Sequence, residues 1–206
     1  MSFLTHTSEN VLWMSSSLLD GSDVRHGFST RIGGVSPAPW DSLNLGVGRG
    51  DDMDRVRENY RRFCAALGVD EHRAMLSKQV HEDNVRHVTA EDCGKGLFRD
   101  RDYTSVDAMV TDTPDIPLVV FSADCGIILL HDPVHGAVGA AHAGWRGAAN
   151  MRFFMGYLDF TGRSWRSERP GPGPSAGGTS TAPDGRRCSP GTRRFAAPRP
   201  FPATGR

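Results

Sequence analysis

Three short stretches of this chain place a metal-binding or nucleophilic side chain beside small residues at the end of an apolar run. They are Gln79-Val80-His81, Ser122-Ala123-Asp124-Cys125-Gly126 and Ala141-His142-Ala143-Gly144-Trp145-Arg146-Gly147. Such endings are how a sheet presents ligands at its edge rather than packing them into its core. Two imidazoles and a thiolate form a workable catalytic zinc set, because zinc takes nitrogen and sulfur donors at roughly 2.0–2.3 Å and keeps a fourth position open. Taken singly, each has a plain structural explanation, since a Cys in an apolar run is more often a small buried hydrophobe than a nucleophile. A second group is basic. Arg31 lies in Ser29-Thr30-Arg31-Ile32-Gly33-Gly34 and Arg146 between Trp145 and Gly147, so two guanidinium groups with glycine-exposed backbone could hold an anion such as phosphate. The alternative is that Arg146 caps a helix and Arg31 pairs with a surface carboxylate.

The elements that must position these residues can be read from the hydrophobic pattern. Residues 24–32 hold strand-like stretches, followed by a loop at Gly33-Gly34 and Ser36-Pro37-Ala38-Pro39. Asp51 to Leu67 reads as a helix, with Met53, Val56, Tyr60, Phe63 and Leu67 at three- and four-residue spacing, an Asp-rich start and Gly68 in the C-cap position. Cys64 falls on the apolar side of this helix. Ala74–Gln79 and Val85–Thr89 read as short strands flanking a turn at residues 81–84. Residues 117–123 and 126–130 are near-continuous apolar runs of strand length, and residues 136–141 form a small-residue run. Continuous apolarity predicts burial on both faces, and Asp132-Pro133-Val134-His135-Gly136 predicts a hairpin turn. Cys93 and Cys188 fall in polar stretches and receive no role.

Charge divides the chain. Its 24 basic and 24 acidic residues cancel, but residues 1–150 carry 14 basic against 21 acidic, whereas residues 151–206 carry 10 against 3. No uniform positive excess exists to neutralise phosphates, which excludes a nucleic-acid binder as a whole chain. The longest apolar runs fall short of a membrane span, and no basic residue precedes Arg25 to form a signal peptide. Four scattered Cys fit a reduced compartment. The expectation is a soluble cytoplasmic protein. Residues 151–206 have one Leu, no Val and no Ile, with eight Pro and nine Gly, too little apolar surface to offset an ordering entropy of about 1–2 kcal/mol per residue. The expected organisation is a domain over residues 1–150 and a disordered Arg/Pro/Gly-rich tail over 151–206. That tail reads either as an arm for nucleic acid or an acidic partner or as the product of a shifted reading frame or truncation.

The ordered set His26-Gly27-Phe28-Ser29-Thr30-Arg31, Gly33-Gly34-Val35-Ser36, Ser42-Leu43-Asn44-Leu45-Gly46, Gly50-Asp51-Asp52, Gln79-Val80-His81, Val106-Asp107-Ala108, Ala123-Asp124-Cys125 and His142-Ala143-Gly144-Trp145-Arg146-Gly147 resembles the laccase-domain, or multicopper polyphenol oxidoreductase, family, also described as purine nucleoside phosphorylase. The resemblance covers roughly residues 24–150. It implies an α+β fold with a mixed, sandwich-like β core and flanking helices. It also implies zinc, with copper as the other metal the family label suggests, held by His81, Cys125 and His142. Implied too are phosphorolysis of adenosine, inosine and methylthioadenosine, and a linked adenosine deaminase activity. On this reading Arg31, Arg146 and Asn44 hold phosphate or substrate, Asp124 and Cys125 are the catalytic candidates, and the partners are nucleoside and phosphate, with neither nucleic acid nor membrane. Glu82 stands where the family has glycine. The family pattern also continues for roughly a hundred residues past Gly147, with no counterpart here, so an open sheet edge is expected.

Three rivals use the same residues. A Cys-His hydrolase would employ Cys125 as nucleophile and His142 as base. Copper-dependent phenol oxidation would need many His ligands, whereas only His81, His142 and His26 of the eight His lie in motif context. The third is an inactive truncated remnant.

Overall fold

The computed structural model describes residues 2–144. Arg146 and the whole of the expected tail over 151–206 lie outside the described residues. The elements run β1 (Phe3–Ser8), β2 (Val11–Ser16), β3 (Phe28–Ser29), α1 (Met53–Leu67), β4 (Met75–Leu76), β5 (Val85–His87), β6 (Ala108–Thr111), β7 (Leu118–Val119), β8 (Gly126–Asp132) and β9 (Ala137–Ala143). The strands form three sheets, ordered β1-β2-β3, β4-β7 and β5-β6-β9-β8. This is the α+β class with mixed sheets that the sequence leads one to expect.

The helix begins and ends where its residues dictate. Asp52 accepts the Asp54 N–H at 2.8 Å as N-cap, and Gly68 terminates it with a φ of 71°. Its inner face brings Val56, Tyr60 and Cys64 against Ala74, Leu76 and Leu97. Burial pushes the Cys64 thiol up to about 12, helped by the nearby Glu71 and Asp70 carboxylates, so this thiol is a core group rather than a nucleophile.

The small β4-β7 sheet divides the core. Side chains alternate across a strand, so Leu76 and Val119 join the helix-side cluster while Met75 and Leu118 join a second one with Val88, Val106, Met109 and Ile116. Cys93 also lies in this second cluster, 1% exposed. Its polar neighbours place it in a loop, and it does lie in a turn, but that turn is drawn inward because Gly94 N–H and Leu76 N–H bond to Ala74 O and Lys95 O.

Residues 1–23 carried no strand expectation, yet β1 and β2 form an antiparallel hairpin through Glu9 and Asn10, both at positive φ. One expectation about strands is corrected, the burial of β8 on both faces. Strand β9 is largely buried, but in β8 Gly126 and Leu129 are exposed, Leu129 by 40%, and the other residues are half-buried. Among the described residues β8 has one neighbour, β9, and forms the edge of its sheet. The β8-β9 hairpin itself is as expected. Its turn is tied by Asp132, whose carboxylate accepts the Val134 and His135 N–H groups, and Gly136 takes a φ of 62°.

The Gly33-Gly34 pair has a steric reason. A Cβ on Gly34 would lie 2.0 Å from Ser42 O, and one on Gly33 2.4 Å from Asn10 O. Only bare backbone lets the β1-β2 turn, this loop and residues 42–43 meet.

Candidate functional site

Three chain segments deliver the three candidate ligands to one place. His142 lies in β9 opposite Ile127, and continuing the β8-β9 register sets Cys125 opposite Gly144. His81 follows the β4 segment, which an isolated bridge between Lys78 and Val106 extends toward the site. The donor atoms of His81, Cys125 and His142 all lie within 4.8 Å of one another. The two imidazoles stand edge to face with centroids 4.7 Å apart. The site is graded from inside to outside: His142 is buried, Cys125 half-buried and His81 exposed.

The long separation in sequence is bridged by two side chains that the sequence reading left without a role. Asp107 extends β6 by one residue toward the site and is 2% exposed. Its Oδ1 accepts the His81 N–H at 2.9 Å and lies 3.1 Å from His142 Nδ1, while its Oδ2 accepts the Val80 N–H at 3.1 Å. Its carbonyl accepts the His142 N–H. A carboxylate isolated in an apolar strand is costly unless such donors surround it, so Val106-Asp107-Ala108-Met109-Val110 carried a readable signal. Gln79 is the second. Its amide donates to Phe121 O at 2.8 Å and accepts the Phe121 N–H at 2.6 Å. A side chain thus takes over from the β4-β7 ladder and holds the segment leading to Cys125 against the segment leading to His81.

Other candidates sit in different environments. Asp124 is exposed beside Cys125. The carboxylate facing His142 is therefore that of Asp107. Arg31 is exposed and pairs with Asp41, its Nη2 lying 2.7 Å from Oδ2 and its Nε donating to Asp41 O. Asn44 belongs to a polar network under the Gly33–Asp52 loop: its amide donates to Asp51, its Oδ1 accepts the Gly46 N–H, and its carbonyl accepts from Asn59. The bond from Asn44, with one from Ser36, holds the Asp51 carboxyl below the usual carboxylate range. Glu82, the residue standing for glycine, accepts from Asn84 and Ser105. It fastens the turn after His81.

The donor set fits a metal ion. Two imidazoles and one thiol suit zinc or copper. A Cβ on Gly144 would lie 3.5 Å from His81 Cδ2, 3.7 Å from His142 Cε1 and 3.8 Å from Cys125 Sγ. Both ring carbons adjoin Nε2, so the missing side chain leaves open space between the donor edges of all three residues.

The chain matches the family model described as multi-copper polyphenol oxidoreductase laccase over residues 25–153. It is similar to a purine nucleoside phosphorylase of Deinococcus radiodurans, 44% identical over 124 residues, covering 60% of this chain and 45% of that protein. A purine nucleoside phosphorylase of Geobacillus stearothermophilus, YlmD, is 39% identical over 127 residues, again covering 60% and 45%. Among solved structures, YlmD from Geobacillus stearothermophilus superposes with a TM-score of 0.64 at 35% identity, covering 77% of this chain and 58% of that one. YfiH from Bacillus licheniformis gives 0.64 at 31% identity, covering 76% and 58%. The chain spans about half the length of the curated relatives it matches. Because the matched stretch takes in every element from β3 to β9 and all three converging ligands, the chain belongs to the multi-copper polyphenol oxidoreductase laccase family.

Proposed function

We propose that residues 1–150 form a zinc-dependent purine nucleoside phosphorylase domain. The observation that carries this reading is the convergence of His81, Cys125 and His142 on one open space beside a buried carboxylate, in a chain whose relatives are named purine nucleoside phosphorylases. The proposed substrates are adenosine, inosine and methylthioadenosine with phosphate, and a linked deamination of adenosine uses the same site.

His81, Cys125 and His142 would hold the zinc, which when bound would supply a Lewis acid to polarise substrate and to make water reactive near neutral pH. The rest is the work of the chain. Arg31 and Arg146 bind phosphate, and Asn44 helps shape the substrate end. Arg31 must share its guanidinium with Asp41 or exchange it for the incoming anion. A phosphate oxygen then bonds to the ribose anomeric carbon as the bond to the base nitrogen breaks, and the base accepts a proton. To Asp124, exposed next to Cys125, we assign the transfer of that proton from the phosphate hydroxyl to the leaving base.

The test is full-length protein, loaded with zinc and shown to be folded, incubated with adenosine and phosphate. Ribose 1-phosphate with adenine supports phosphorolysis, and inosine supports deamination. Absence of all three would refute the proposal.

One observation favours a second reading. Cys125, His142 and Asp107 have the composition of a thiol triad, in which the carboxylate orients the base. His81 has no part in such a mechanism. Stoichiometric zinc that disappears in Cys125→Ala and in His81→Ala supports the metal reading, whereas metal-free protein rapidly alkylated at Cys125 supports the hydrolase.

A further inference from the structure

We infer that Asp107 is the positioning residue for both histidines, fixing the ring of His142 and the backbone of His81 with one carboxylate; the inference rests on the metal reading above. An ionised carboxylate only accepts hydrogen bonds. With Asp107 Oδ1 3.1 Å from His142 Nδ1, the proton of the neutral ring belongs on Nδ1, which leaves the Nε2 lone pair free for the shared space. The His142 N–H bond to Asp107 O, at 2.8 Å, anchors the backbone of the same residue, so the ring is held from both ends.

The hold on His81 is different in kind. His81 has a φ of 64°, a left-handed conformation that a residue bearing a Cβ rarely adopts unless its surroundings require it. Here the consecutive N–H groups of Val80 and His81 point to the two oxygens of Asp107, at 3.1 and 2.9 Å. That paired contact fixes the peptide plane between them and so the direction in which His81 leaves the chain. The N–H groups of Asp107 and Ala108 bond in turn to Asn84 O, which closes the loop from its other end. Removing the carboxylate therefore releases two of the three ligands at once, although it touches no substrate.

Two measurements test this on the full-length chain. In metal-free protein at mildly alkaline pH, nitrogen-15 NMR of the imidazoles should show His142 protonated on Nδ1, and in Asp107→Ala, which offers no acceptor, this preference should be lost. Zinc affinity, measured by competition with a chelating dye, should fall about 10- to 100-fold in Asp107→Ala, with a cooperative thermal transition retained. A wild-type His142 protonated on Nε2 overturns the inference, as does a variant whose zinc affinity stays within about twofold of wild type. If Asp107→Ala fails to fold, the wild-type tautomer alone decides. Wild-type protein that carries the Nδ1 proton yet binds no zinc supports the hold on His142 and refutes the metal reading separately.

Discussion

Replacing Gly144 by Ala separates metal binding from folding. The added Cβ meets His81 Cδ2 at 3.5 Å, His142 Cε1 at 3.7 Å and Cys125 Sγ at 3.8 Å, all ordinary contact distances, and Gly144 lies outside the left-handed region. The metal-free variant should therefore fold, with stability unchanged or raised by about 0.4–1 kcal/mol through the reduced freedom of the unfolded chain. Zinc binding makes a different demand. Donors at roughly 2.0–2.3 Å in a tetrahedron stand about 3.3–3.7 Å from one another, whereas the donor atoms here are separated by up to 4.8 Å. Closing the set by as much as about 1 Å moves the same rings and sulfur that the methyl group touches, and shifts of a few tenths of an ångström bring those contacts into repulsion. The expected result is a zinc dissociation constant raised about tenfold or more, equivalent to about 1.4 kcal/mol, with an unchanged or higher melting temperature for the metal-free protein. Dye competition and thermal melting measure the two quantities on one preparation. Zinc affinity within twofold of wild type would refute the reasoning. A metal-free variant destabilised by more than about 1 kcal/mol would show instead that Gly144 serves the backbone.

Asn59→Ala removes a fully buried amide that accepts the Val35 N–H and donates to Ser36 Oγ and Asn44 O. Losing these three bonds should cost about 3 kcal/mol or more, lowering the melting temperature by roughly 6–12 °C; a drop under about 2 °C would mean that water replaces the amide. Gln79→Ala should weaken zinc binding about tenfold, because Cys125 loses the clamp at Phe121, and unchanged affinity would assign its placement to the short β4-β7 ladder alone. Burial pushes the Asp92 carboxyl up, but its bonds with Lys95, the Thr89 N–H and Arg86 outweigh this and hold it below its ordinary value. Its stabilising contribution is therefore complete at neutral pH and is lost as pH falls below about 4. Melting curves from pH 7 to pH 3 should fall less steeply for Asp92→Asn than for wild type, and parallel curves would exclude the role.

Helix α1 was legible because its signals agree: an Asp N-cap, apolar residues at helical spacing and Gly68 in the left-handed C-cap. The β8-β9 hairpin was legible from its turn chemistry, and His81, Cys125 and His142, which the fold brings together, from reactive side chains at the ends of apolar runs. The β1-β2 hairpin was not. Val11, Trp13 and Ser15 form its buried face, and a serine in the third position breaks the apolar alternation, while Glu9 is an unusual choice for a positive-φ turn. The run at 117–123 overstated its strand, since Gln79 takes the pairing at Phe121 that a longer ladder would have made. Tertiary contacts of this kind have no local signature. The grip of Asp107 on two distant histidines likewise depends on which segments lie beside β6, and composition says nothing about that. Continuous apolarity in β8 marks a strand made for cover on both sides, and residues 2–144 supply only part of it.

The turn joining β8 to β9 has a role that its position conceals. Strand β9 is pinned to β6 as well as to β8, but among the described residues β8 is aligned by β9 alone. Side chains alternate with a period of two, so a slip of one residue would send Cys125 to the opposite face while His142 stayed in place. The Asp132-capped turn, five residues along β9 from His142 at Ala137 and so about 17 Å away, acts as a remote ruler for the ligand set. Lengthening it by a single residue would misalign the thiol with both imidazoles without altering any atom of the three.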